Sequence, residues 1–457
     1  MVDLVLSRPG LMTAGETHWS NSPHLGLGYL SAVSRERGIS VRIVDGRLER
    51  HTSEEETANA ILQHQPEIVG LSAFTIELNR ADKIARLLKE KDPGIVTVLG
   101  GPHANSLPRE SFSDCSGFDY LVAGEAENSL TELIIAHRNG ESKESIVGLF
   151  RKNDADFLKH DNHASFEEDL SALPFPAWDL FPRTSIYPIM TERGCPYNCV
   201  FCSHNLTKRI RSRSVEHVME EIRWLYRDFC AKQIYFEDET FGLNHDRTVE
   251  LLNLLIDFNQ MAGIRFKAQT RVDHVSEKMI KLMRRAGFEY LELGVESGDP
   301  AVLSNSGKNI SLEQVKKAVF IAKQNGIKVW LKFIIGLPGE TKRSVRKTID
   351  FAVSLNPHRL SVAVIVPYPG SRIYEWAQKG QNGYHFLSKD WNKFDKYFGA
   401  SVELDTLSYP SMRRFQIQMY FETYLLNGRF LELLNMAWVH RSLAFSVARS
   451  LFKTPWH

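Results

Sequence analysis

Long apolar runs are missing from this chain of 457 residues: no uninterrupted stretch reaches the roughly 18 residues that a membrane-spanning helix requires. Met1 to Gly10 hold no basic region leading into an apolar core, so no secretory leader is expected. Charge of one sign is missing as well. With 56 Lys+Arg against 55 Asp+Glu the net charge is +1, which leaves no global field to attract nucleic acid or an anionic surface. Cysteine is scarce and odd in number, five in all, and Cys195, Cys199 and Cys202 crowd into one short segment. That is a poor disulfide framework, and it points to a reducing, cytoplasmic setting.

What is present is a repeated strand–helix rhythm in a chain long enough for two or three domains. Over residues 1–150, apolar runs at Val2–Ser7, Val41–Asp45, Ile68–Phe74, Ile95–Gly101 and Tyr120–Glu125 read as strands covered on both faces. Leu25–Arg37, Ser53–His64, Glu77–Lys91 and Glu127–Asn139 read as the helices between them. The pattern predicts an α/β, Rossmann-like, doubly wound parallel sheet whose ligand lies beyond the carboxyl ends of its strands. Residues 151–187, with His160, His163 and prolines at 174, 176 and 182, read as a linker with an extended end.

A second series follows over 188–380. Strands near Tyr187–Thr191, Gln233–Glu237, Arg265–Thr270, Tyr290–Glu296, Lys328–Gly336 and Arg359–Pro367 predict a partial (β/α)6 barrel with its chemistry on the loops after the strands. Beyond 380 no further strand–helix unit is expected. Residues 381–457 read as a small helical appendage, with Met412–Phe452 helical in pattern.

The segment Thr191-Glu192-Arg193-Gly194-Cys195-Pro196-Tyr197-Asn198-Cys199-Val200-Phe201-Cys202 directly follows the first barrel strand. Its C-x-x-x-C-x-x-C spacing lets three thiolates grip three irons of a [4Fe–4S] cluster and leaves the fourth iron open to an exogenous ligand. A zinc knuckle completed by His204 is the competing use of such thiols. Cys115 and Cys230, outside the loop, read as small buried hydrophobes.

The cysteine loop, its place after the first barrel strand, and Phe201 before the last cysteine resemble the radical S-adenosylmethionine (SAM) superfamily. That resemblance implies that SAM caps the open iron and yields a 5′-deoxyadenosyl radical. By the same resemblance Phe201 approaches the adenine, and Asp238 and Glu239 meet the methionine amine. Arg271 pairs with the methionine carboxylate or forms only a surface ion pair, Glu296 and Ser297 hold the ribose and carboxylate, and Gly336 lets the backbone approach the adenine.

The first domain is similar to the cobalamin-binding domain that precedes such barrels in class B methylases and anaerobic magnesium-protoporphyrin cyclases. The quoted motifs are Pro23–Leu30, Val69–Phe74, Gly100-Gly101-Pro102-His103 and Ala123–Glu127. They imply cobalamin contacts at Gly70, Ser72, Phe74, Gly100, Gly101, His103, Gly124, Glu125 and Glu127. The Asp-x-His-x-x-Gly motif that supplies a cobalt-ligating histidine in other corrinoid proteins is absent; the expected loop reads Ser7-Arg8-Pro9-Gly10-Leu11-Met12. His103 is therefore expected beside the cofactor, not on the metal.

The resemblance implies an enzyme that methylates an unactivated carbon of a small-molecule, lipid or natural-product substrate by way of the radical and methylcobalamin. A cyclisation, ring rearrangement or oxidation without methyl transfer is the alternative within the family, and a corrinoid- or cluster-based sensor is the alternative outside it. An external low-potential electron donor is required, nucleic acid is not expected as a partner, and the aromatic tail leaves room for a peripheral membrane contact. Tyr368, Pro369, Arg372 and Tyr374 are expected to border the substrate. No residue identifies itself as a catalytic acid or base.

Overall fold

The computed structural model describes residues 2–10, 22–152, 166–203 and 207–439. His160, His163, His204, Leu11, Met12 and the tail from Arg441 to Phe452 lie outside these residues. No helix among the described residues is long and apolar enough to cross a membrane.

Strands β1 (Val2–Arg8), β2 (Val41–Asp45), β3 (Pro66–Ser72), β4 (Val96–Gly100), β5 (Tyr120–Val122) and β6 (Leu149–Arg151) form one sheet in the order β2-β1-β3-β4-β5-β6. The first five are parallel, whereas β6 runs antiparallel to β5, an edge strand the sequence reading missed. Successive residues of a strand face opposite sides. Leu4 and Leu6 of β1 accordingly join the core under helices Leu25–Glu36 and Ala126–Asn139, while Val5 joins the core under Leu78–Lys91.

Residues 166–185 are a packed strap more than a linker. Trp178 is buried and its indole N–H donates to Glu221. The Ala177 amide donates to Gly28, where a Cβ would come within 2.8 Å of Pro176.

β7 (Ile186–Ile189) opens the second sheet. A short antiparallel hairpin follows, β8 (Glu192–Arg193) against β9 (Arg211–Ser212). The sheet is completed by β10 (Gln233–Phe236), β11 (Arg265–Arg271), β12 (Phe288–Glu296), β13 (Lys328–Ile335) and β14 (Arg359–Val364), all parallel, in the order β14-β13-β12-β11-β10-β7. This is the expected six-stranded partial barrel.

The C-terminal region differs from a helical appendage. It contains a two-stranded hairpin, β15 (Tyr384–Phe386) and β16 (Val402–Leu404), whose strands are too short to show a period in sequence. Between them Trp391 and Phe394 pack into the far core of the first sheet. Helix Tyr409–Leu425 covers the free edge of β14: the Val362 amide donates to the Tyr420 hydroxyl at 3.0 Å, and Gln416 donates to the Val362 carbonyl at 2.6 Å. An edge strand left bare would invite pairing with another chain, and this helix closes it.

Candidate functional site

The cysteine loop is shaped by its backbone. Gly194 has φ 102°, and a Cβ there would lie 2.2 Å from the Arg209 carbonyl oxygen, so only glycine fits. The Val200 amide donates to the Ser306 carbonyl, and Gly307 approaches so closely that a Cβ would sit 2.8 Å from the Asn198 oxygen. Cys195, Cys199 and Cys202 are half-buried free thiols. Among the described residues no three His, Cys, Asp or Glu side chains converge on a single ion. A cubane would spread these thiolates over three irons, and His204, the fourth ligand that a zinc knuckle would use, lies outside the described residues.

Asp238, expected at the methionine amine, is used elsewhere. Its carboxylate accepts from the Thr191 amide at 2.6 Å, the Thr191 hydroxyl at 2.8 Å and the Glu192 amide at 3.1 Å. It thereby ties down the entry to the cysteine loop, and burial pushes its acid up to about 7. Glu239 does face the cavity described below, and its Oε2 is buried without a partner among the described residues.

Arg271 is likewise committed. Its Nε and one terminal nitrogen lie 3.0 Å from the two Asp273 oxygens, the same nitrogen donates to the Lys308 carbonyl at 2.7 Å, and the other lies 3.9 Å from Cys199 Sγ. Lys308 in turn pairs with Glu296 at 2.9 Å. Burial pushes the Cys199 thiol up, and Lys308 and Arg271 oppose that rise, as cations near a thiol favour the thiolate. Ser297 is buried against Thr348 at 3.1 Å. Gly336, with φ 101°, donates to Glu340, and Phe201 packs against the barrel core.

A cavity of about 330 Å³ lies where the strand ends of the two sheets meet. Gly70, Ser72, Gly100, Gly101 and Gly124 border it from the first sheet, together with Glu125 and Glu127, and Arg193, Cys195, Glu237 and Glu239 border it from the barrel. A Cβ on Gly100 would meet nothing nearer than the Val122 oxygen at 4.0 Å. The missing side chain therefore leaves open space, a cradle suited to a broad macrocycle such as a corrin. Gly101 has a different reason: its φ is 96°, and a Cβ would fall 2.8 Å from the Ala73 amide nitrogen.

Two expected cobalamin residues do not line this cavity. Phe74 turns outward, 45% exposed. His103 is buried, with Nδ1 3.1 Å from the Thr75 hydroxyl and its ring edge-on to Trp391 at 4.7 Å; burial pushes it down to about 4. The histidine that does border the cavity is His24. It caps helix Leu25–Glu36, with Nδ1 accepting from the Leu27 amide at 3.1 Å. Because Nδ1 is the acceptor, the neutral ring carries its proton on Nε2, and burial, reinforced by Arg8, pushes the group down to about 3. Glu237 was also missed; burial pushes it up to about 7, partly offset by Arg8. Of the outlying cysteines, Cys115 is buried as expected, whereas Cys230 is exposed.

Comparison with known proteins agrees with this geometry. The radical SAM superfamily profile matches residues 189–352, and the B12 binding domain profile matches residues 17–134. The chain is 34% identical over 384 residues to the uncharacterized methyltransferase of Pyrococcus horikoshii, covering 82% of each. It is 27% identical to the anaerobic magnesium-protoporphyrin IX monomethyl ester cyclase of Rubrivivax gelatinosus, covering 80% of this chain and 68% of that one. In fold it matches the radical S-adenosylmethionine methyltransferase TsrM of Kitasatospora setae, solved with cobalamin and a [4Fe–4S] cluster, with TM-score 0.68, 19% identity, and 87% and 82% of the two chains covered. With both profiles on one chain and a relative matched over most of its length, the protein belongs to the cobalamin-binding radical S-adenosylmethionine enzymes.

Proposed function

We propose that the protein is a C-methyltransferase acting on an unactivated carbon of a small molecule. The observation that carries this reading is the single cavity bordered both by the glycine cradle of the first sheet and by Cys195 of the cluster loop. When bound, the cluster with S-adenosylmethionine supplies a 5′-deoxyadenosyl radical and the corrinoid supplies the methyl group. In this reading Cys195, Cys199 and Cys202 hold the cluster, and Glu239 offers its unpartnered oxygen to the methionine ammonium. Arg271 and Lys308 steady the cluster loop and keep positive charge beside Cys199. Gly100 leaves room for the corrin, with Gly70, Ser72, Gly101 and Gly124 beside it on the cavity wall, while His24 offers an N–H at its margin.

Electrons come from an external low-potential donor in the cytoplasm. The outward leucines Leu426 and Leu431, 69% and 78% exposed, fit a peripheral membrane contact that would bring an apolar substrate within reach. The cyclase relative makes ring formation the alternative outcome, so the decisive measurement is of products.

Reduced protein loaded with both cofactors should release 5′-deoxyadenosine and S-adenosylhomocysteine together and transfer label from the S-methyl group. Deoxyadenosine without S-adenosylhomocysteine or methyl transfer would favour the cyclase-type reading. Cys→Ala at 195, 199 or 202 should abolish a content of about four irons per chain; an unchanged cluster in the triple variant would sink the assignment.

A further inference from the structure

Two arginines that are partners across the β8–β9 hairpin reach for the same carboxylate on the other domain. Arg193 pairs with Arg211 in register. Arg193 lies 3.0 Å from Glu125 and 2.7 Å from Glu127, while Arg211 approaches both oxygens of Glu125 at 2.9 and 2.5 Å. The four side chains are between 3% and 13% exposed. Burial alone would push the Glu125 carboxyl up, yet Arg211 and Arg193 hold it below its ordinary range. Like charges set opposite one another across strands repel, and a buried charge without its partner is costly. The two carboxylates of the first domain therefore offset the repulsion between the paired arginines.

Both ends of this network border the same cavity. Gly124, Glu125 and Glu127 form one part of its wall, and Arg193, Gly194 and Cys195 another. Cys195 follows Arg193 by two residues, so a single layer of ion pairs joins the turn at 124–127 to the first cluster cysteine. Glu125 and Glu127, expected from sequence to touch the corrin, line the cavity and also have protein partners.

We propose that Glu125 and Glu127 are positioning residues that transmit corrinoid occupancy of the cavity to the cluster loop through Arg193 and Arg211. The inference rests on the two-cofactor reading above. Its consequence is reciprocal: each bound cofactor steadies the loop that holds the other.

The test follows iron loss from the reconstituted, full-length protein to a ferrous chelator, with and without bound hydroxocobalamin. In the wild type the corrinoid should slow iron loss by a factor of about five or more. Glu127→Gln should keep both cofactors but bring that ratio close to one. A purely structural ion pair predicts a faster loss with the ratio unchanged. If Glu127→Gln fails to hold its cluster, Arg211→Lys, which keeps the charge but not the fork, should show the same fall in ratio. A wild-type ratio of one, or an unchanged ratio in the variant that holds both cofactors, overturns the proposal. Wild-type protein that retains no corrinoid at all overturns it together with the two-cofactor reading.

Discussion

The Arg271 guanidinium lies 3.6 Å from the centroid of the Tyr197 ring, so the end of β11 is stacked directly on the loop of Cys195, Cys199 and Cys202. Lysine at this position keeps the charge but loses the plane and the paired bonds to Asp273. Arg271→Lys is expected to weaken the loop by about 1–2 kcal/mol and to lower iron content after desalting, with circular dichroism unchanged. Full iron retention in Arg271→Lys would show that the stacking is incidental.

Neighbouring glycines should respond differently to enlargement. Gly100→Leu places a side chain into open cavity space and is expected to abolish corrinoid retention while leaving iron content and melting temperature close to wild type. Gly101→Ala forces a Cβ against the Ala73 backbone at a left-handed φ and should cost about 1–3 kcal/mol in stability. Equilibrium dialysis with hydroxocobalamin and thermal melts separate the two effects. Normal corrinoid binding by Gly100→Leu would remove the cradle from the cofactor site.

The lower face of cobalt should carry no protein histidine. His103 is turned toward Thr75 and Trp391, and the capping bond of His24 leaves its Nε2 as a donor, unable to ligate a metal. The Co(II) electron paramagnetic resonance spectrum should therefore be the same in unlabelled and uniformly nitrogen-15-labelled protein. A nitrogen splitting that changes with the protein label would overturn this ligand assignment.

Glu340 gives the fold a dependence on pH. Burial pushes its acid up to about 8, against about 4.3 in an unfolded chain. A folded value above the unfolded one means that the native state binds the extra proton. The contribution is thus complete below about pH 4.3 and is lost as pH rises toward about 8, at a slope of up to about 1.4 kcal/mol per unit. In urea titrations of the metal-free chain, wild-type stability relative to Glu340→Gln should fall across that window. Parallel curves for the two proteins would refute the assignment.

Motifs written in consecutive residues were legible in the sequence, and partnerships across the chain were not. The spacing of Cys195, Cys199 and Cys202 and the glycines in or just after β3, β4 and β5 are local patterns of this kind. Gly307 and Lys308 do not, because a Gly-Lys-Asn turn carries no sign that it will press on Asn198 and receive Arg271. The partners of Asp238 were hidden for a related reason. A carboxylate at a strand end suits a ligand, but β7 ends at Ile189 and leaves the Thr191 and Glu192 amides to be satisfied from within. The Glu125 and Glu127 carboxylates were assigned to the corrin from the Ala123–Glu127 motif alone, and their arginine partners, beyond an intervening strap and strand, left no local sign.

Cys230 ends helix Val215–Phe229 in a left-handed conformation, φ 54°, with its side chain exposed. Cys115 is buried, and its thiol is pushed up to about 12, chiefly by burial. Once the three loop cysteines are bound to iron, a maleimide dye has one reactive address on the protein. That address sits on the barrel, away from the cavity wall, so a fluorophore attached there gives a one-site reporter on the protein, with no engineered cysteine required.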